Sequence, residues 1–245
     1  MKSLYESLLD DEEEIVDKLD VKPVIKAWMS KYARNVSYNI NDDNTIDVNG
    51  HLSLYTKEIP GYIQFNNIKG NFHLVGFNGE KLNGMPKKVK GGLFITGCIN
   101  LKDLEGAPEE VKGYIDISDC LNIESLKGLE HITCEEIKLS DIYITNLEYM
   151  PTVKHKVELT GLRLLNSLKG MPKKVGTLDI MNCNMKNLKG IAEIVDGSMA
   201  INFCTNLTTL KYMPKEIHGN LYMVNNSKLK DVKFDTKVLG DVDIL

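Results

Sequence analysis

The sequence predicts a mainly-β repeat solenoid, right-handed, of about ten rungs behind an N-terminal α-helical cap. Three observations carry that prediction. An alternating apolar pair returns at a nearly fixed interval, a short phrase of leucine, glycine and proline recurs between the pairs, and the leading segment follows a helical period instead. An interval of roughly 21 residues marks a stacked array, because each unit is too small to bury its own apolar face and must pack on its neighbours.

The leading segment divides into two helices. Over Ser3 to Leu19, Leu4, Leu8, Leu9, Ile15, Val16 and Leu19 share one helical face, with Ser3 as N-cap and Glu6 three residues later. Asp10 to Glu14 puts five consecutive carboxylates in its middle, a solvated face or a docking surface for a basic partner. A second helix begins near Pro23, a residue suited to a first turn, and buries Val24, Ile25, Trp28, Met29 and Tyr32. Its polar positions include Lys22, Lys26, Lys31 and Arg34, so the acidic first helix is expected to lie against it. The cap is placed at residues 1–36 and the solenoid at 37–245.

After Asn35 the period falls to two. Tyr38 and Ile40, then Ile46 and Val48 across Asn41-Asp42-Asp43-Asn44, read as a hairpin leading into the array. The pairs follow as Leu52/Leu54, Phe72/Leu74, Leu93/Ile95, Ile115/Ile117, Ile137/Leu139, Val157/Leu159, Leu178/Ile180, Met199/Ile201, Leu221/Met223 and Val242/Ile244. The spacing from each pair to the next is nearly constant, so no insertion interrupts the stack.

Each unit has the same parts. An apolar residue and a glycine, such as Val111 and Gly113, lead into the strand, whose alternation turns one face inward. A turn follows with Cys98, Cys120, Cys183 or Cys204 ahead of Asn100, Asn122, Asn184 or Asn206, then a leucine on the way back. Pro86, Pro108, Pro151, Pro172 and Pro214 remove backbone donors there, which disfavours long helices on the return path. Glu130 and Ala192 stand where proline is expected, Tyr149 and Tyr212 where glycine is, and His155 replaces the glycine before its strand. Backbone deviations are expected at those rungs.

Composition narrows the function. The chain has 245 residues, 42% hydrophobic and 26% charged, with a net charge of -4 and a pI near 5.8. That balance argues against a nucleic-acid partner, for which a basic face supplies most of the binding energy. No run of about 18 apolar residues is present, so no membrane span is expected. Met1 to Asp20 holds eight carboxylates against two lysines, unlike a secretory signal, and five cysteines, an odd number, suit a reducing compartment. A cytoplasmic protein is expected.

Catalytic and metal chemistry find little support. The cysteines at 98 and 120, and those at 183 and 204, should stack in two pairs, but Cys120 and Cys183 lie far apart along the array, with Ile142 and Leu162 in the turns between. Zinc needs four ligands converging on one point. The five histidines show no HxH or HExxH spacing, and no Walker, GxGxxG or GxSxG context occurs. Asp116, Glu158, Asp179 and Asp243 line an outward strand face, yet acid-base work also needs a pocket that perturbs a pKa. No enzyme activity, cofactor or metal is expected.

The order apolar-x-apolar, two residues, Cys, then Asn and leucines resembles the leucine-rich repeat. More narrowly, Asp103-Leu104-Glu105-Gly106-Ala107-Pro108, Ser125-Leu126-Lys127-Gly128 and Ser167-Leu168-Lys169-Gly170-Met171-Pro172-Lys173-Lys174-Val175 resemble the SLEGAPxxVGG units of leucine-rich-repeat-like proteins of tailed bacteriophages and prophages. The resemblance covers roughly residues 46 to 245, and Met1 to Leu9 is similar to N-termini in that group. It implies that Cys or Asn at the turn bonds to the loop backbone, and that the array is a scaffold for a grafted binding face.

The outward strand face is therefore the candidate site, and a host or phage protein the expected partner. Its binding residues are Phe94, Tyr114, Asp116, Lys138, Glu158, Asp179 and Tyr222, with Phe94 and Tyr114 as exposed aromatics on adjacent rungs. Two other expectations stand beside it. Val242-Asp243-Ile244-Leu245 leaves an open edge that another copy can pair with, giving a homo-oligomer or a virion-associated module. A carbohydrate binder would need an aromatic-lined groove along several rungs.

Overall fold

The computed structural model describes residues 20–230 and 232–245. The expected first helix, and its contact with the second, lie outside the described residues. The second helix runs Lys22–Tyr32, with proline in its first turn. It buries Ile25, Trp28 and Met29 and half-buries Tyr32, but Val24 is 45% exposed. The apolar stripe is the narrow one through 25, 28, 29 and 32, and Val24 lies beyond its edge. The Trp28 ring packs on Tyr32 at 4.8 Å and on Phe65 at 6.4 Å, anchoring the helix to the start of the array.

The hairpin forms as expected, Tyr38–Ile40 antiparallel to Ile46–Val48. Beyond it the molecule is a mainly-β parallel solenoid built on a ten-stranded sheet. In register, Leu52 pairs with Phe72, then Leu93, Ile115, Ile137, Val157, Leu178, Met199, Leu221 and Val242. These residues and their partners two positions on are buried, apart from Val242 and Ile244 in the last strand. A period-two strand stacked in register every turn makes one continuous apolar core.

Two further sheets line the return path. One has five strands and includes the hairpin, Phe65–Ile68, Lys88–Val89 and Glu110–Val111; the other has four, Lys174–Val175, Ile194–Val195, Glu216–Ile217 and Lys237–Val238. The apolar residue before each corner glycine is thus a strand residue in its own right. The corners explain the glycines. Gly113 donates its N–H to Gly91 O at 3.0 Å, Gly219 to Gly197 O at 2.9 Å and Gly240 to Gly219 O at 3.1 Å, while a Cβ at Gly113 would stand 2.8 Å from the Gly91 backbone.

The two middle rungs lack the glycine at this corner. Glu135 and His155 occupy the glycine place, and the strands Thr133–Ser140 and Thr152–Thr160 continue through it with a register shift between Cys134 and Glu136, while the Glu135 N–H still donates to Gly113 O at 3.0 Å. On the return path, Tyr149 and Tyr212 adopt φ of 68° and 77°, the left-handed region that Gly106, Gly128 and Gly170 occupy at equivalent places.

The turn cysteines are buried and reduced. Their thiols point to carbonyls one rung back: Cys98 Sγ to Leu74 O at 3.8 Å, Cys120 Sγ to Ile95 O at 3.7 Å and Cys183 Sγ to Leu159 O at 3.6 Å. Asn226 takes the same place one rung beyond Cys204. It donates to Ile201 O at 2.8 Å and accepts from the Cys204 N–H at 2.9 Å. Cys134, outside this column, is also buried, and burial pushes its thiol up to about 12.

Candidate binding face

The outward positions fall into columns because the strands keep one register across the core-facing pairs, the shift between Cys134 and Glu136 lying before them. Ser53, His73, Phe94, Asp116, Lys138, Glu158, Asp179, Ala200, Tyr222 and Asp243 are successive cross-strand partners. In-register neighbours about 5 Å apart interact directly, so a column becomes a continuous surface.

At the N-terminal end of this surface the column is aromatic. The rings of His73 and Phe94 stack at 4.2 Å with planes 3° apart, and Phe94 meets Tyr114 at 5.7 Å and 46°. Phe94 and Tyr114 are half-buried, less open than the sequence suggests, because each covers the other. Gly92 makes the space: a Cβ there would stand 2.7 Å from the Phe94 ring and 3.0 Å from Tyr114 O. An imidazole lying flat on a ring loses hydration, and burial followed by the charge of His51 holds His73 below its ordinary 6.5. An open cleft of about 540 Å³, lined by residues including Arg34, His51, Ser53 and Tyr55, continues the surface toward the helix.

The middle of the column is charged. Lys156 Nζ bonds to Asp179 at 2.7 Å and to Glu158 at 3.1 Å, and Lys138 Nζ stands 3.9 Å from Glu158. Those carboxylates, Asp179 first, raise the Lys156 ammonium above its ordinary value against the opposing effect of burial. The Ser118 hydroxyl donates to Asp116. The Tyr114 phenol is driven upward by burial first and then by Asp116, Glu158 and Glu136, which places it in the field of three carboxylates.

Six of the seven residues singled out from the sequence thus form one surface: Phe94, Tyr114, Asp116, Lys138, Glu158 and Asp179. Tyr222 lies apart, two strands beyond Asp179 across Ala200, where its hydroxyl meets Asn220 Nδ2. His73, Glu136 and Lys156 belong to the surface and were not singled out. Their columns were readable in the sequence, but their contacts depend on rotamers that no spacing encodes.

Among the described residues no three His, Cys, Asp or Glu side chains converge where they would hold a metal ion. Nor is any described helix long and apolar enough to cross a membrane. No protein family, curated protein or solved structure matches the chain.

Proposed function

We propose that the chain is a non-enzymatic, leucine-rich-repeat-like scaffold of phage or prophage type, which binds a host or phage protein in the cytoplasm through the open face of its long sheet. The observation that carries this reading is the His73–Phe94–Tyr114 stack, seated in register beside Asp116 on a surface that no other part of the described chain covers. Half-buried aromatics rimmed by charge are the composition of interface hot spots, and they stand where the repeat leaves side chains free of structural duty. Capture from host lysate with the tagged chain, set against Phe94→Ala with Tyr114→Ala, tests it. The reading expects partners that the double variant loses while its melting temperature is kept; equal recovery by both overturns it.

A second reading is favoured by a different observation. Among the described residues the strand Val242–Ile244 pairs on one side only, and Leu239, Val242 and Leu245 are 58%, 51% and 80% exposed. An unpaired strand with apolar flanks is a template for another copy. End-to-end association expects a mass that rises with concentration in light scattering and falls back with Val242→Lys; a constant monomer mass removes it.

A further inference from the structure

We infer that the segment bound by this face is basic, with an arginine or lysine side chain lying on the Phe94 and Tyr114 rings between Asp116 and Glu136. The inference rests on the reading of the face as a protein-binding surface and names the chemistry of what it takes.

The charges on the face are unevenly shared. Asp116 is the cross-strand partner of Lys138, and Glu136 that of Lys156, so each carboxylate has a lysine one strand away. Neither lysine turns toward it. Lys156 reaches Asp179 and Glu158, and Lys138 lies nearest Glu158, so both cations lean toward the C-terminal end. Among the described residues no Lys, Arg or His nitrogen comes within ion-pair distance of Asp116 or Glu136, and only the Ser118 hydroxyl bonds to Asp116. Two half-buried carboxylates thus have no counterion among the described residues, directly beside Tyr114, the cross-strand partner of Glu136.

Aromatic faces attract cations through their quadrupole, and guanidinium stacks on them while keeping its donors free for carboxylate. The ring pair and the acid pair are therefore complementary to the same group. An acidic segment would meet repulsion from both carboxylates, and a neutral one would leave them desolvated without a partner.

Fluorescence anisotropy of the full chain with three labelled dodecapeptides tests the inference: (Gly-Ser-Arg)₄, the same peptide with citrulline for arginine, and the same with glutamate. The arginine peptide should bind, and the citrulline and glutamate peptides should bind at least about tenfold more weakly. Asp116→Asn with Glu136→Gln should lower arginine-peptide affinity by about tenfold, while Glu109→Gln with Glu124→Gln, which removes the same charge off the face, should leave it unchanged. Equal weakening by both pairs would mean diffuse acidity only and overturns the inference. Citrulline binding as tight as arginine, lost in Phe94→Ala with Tyr114→Ala but kept in the Asp116/Glu136 variant, overturns the cation and spares the face. Arginine binding indifferent to the aromatic variant overturns both.

Discussion

The two middle rungs and their neighbours solve the same corner differently. In Leu93–Thr96, Tyr114–Ser118, Thr177–Met181 and Met199–Asn202 the strand is four or five residues long and starts after a glycine, whereas Thr133–Ser140 and Thr152–Thr160 run for eight and nine. A corner brings one backbone onto the next: a Cβ at Gly176 would stand 2.0 Å from His155 O. Where the strand passes through the register shift instead, side chains are admitted, and Glu135 takes Lys154 at 2.7 Å and His155 at 2.9 Å. Glycine is therefore required by the close approach at the corner and not by the repeat. The same difference divides the open face, with aromatics on the short strands and most of the ion-paired charges on or beside the two long ones.

Exchanging the two solutions should separate them. Gly176→Ala drives a methyl into the His155 backbone and should cost about 3 kcal/mol or more, read as a lower urea midpoint. His155→Gly, in a rung without the glycine corner, loses only strand propensity and an exposed contact with Glu135, about 1 kcal/mol. Equal losses would abolish the distinction between the glycine corner and the two long strands.

The turn column offers a smaller effect. Asn226→Ala leaves the Cys204 N–H and Ile201 O without their partner and should cost about 2 kcal/mol in the same assay. Asn226→Cys, which restores the residue used in other rungs, should recover part of it. A loss below the scatter of surface variants would show that the column is not a structural ladder.

On the open face, Gly92→Ala pushes the Phe94 ring off its seat. It should lower stability by only about 1 kcal/mol while weakening partner capture as the double aromatic variant does; unchanged capture would detach the ring's position from function.

The smallest effect is in pH. The folded His73 titrates below its ordinary 6.5, so the unfolded chain takes up the proton first as pH falls. The stability His73 lends is present above about 6.5 and lost as pH drops from there toward the folded value. Subtracting the profile of His73→Phe from that of the parent should show the step, and parallel profiles would remove it.

Much of this was legible. The evenly spaced apolar pairs became cross-strand partners residue for residue, because a period-two strand repeated at a fixed interval has one register that buries its core. Glu135 was missed as a corner replacement although it lies one repeat after Gly113, and Asn226 as a turn residue although it lies one repeat after Cys204; counting by column finds both. The exposure of Val24 was missed because a stripe read from spacing has no width until something packs against it.

The stack, its register and the positions that face outward follow from local alternation and a fixed repeat length, and so could be read before any contact was known. It took the folded chain to show that both lysines lean toward Glu158 and Asp179, that Phe94 fills the space above Gly92, and that Asp116 and Glu136 have no counterion among the described residues. A side chain on a sheet face chooses its rotamer from the neighbours that other strands supply, and those neighbours meet only after the turns have closed.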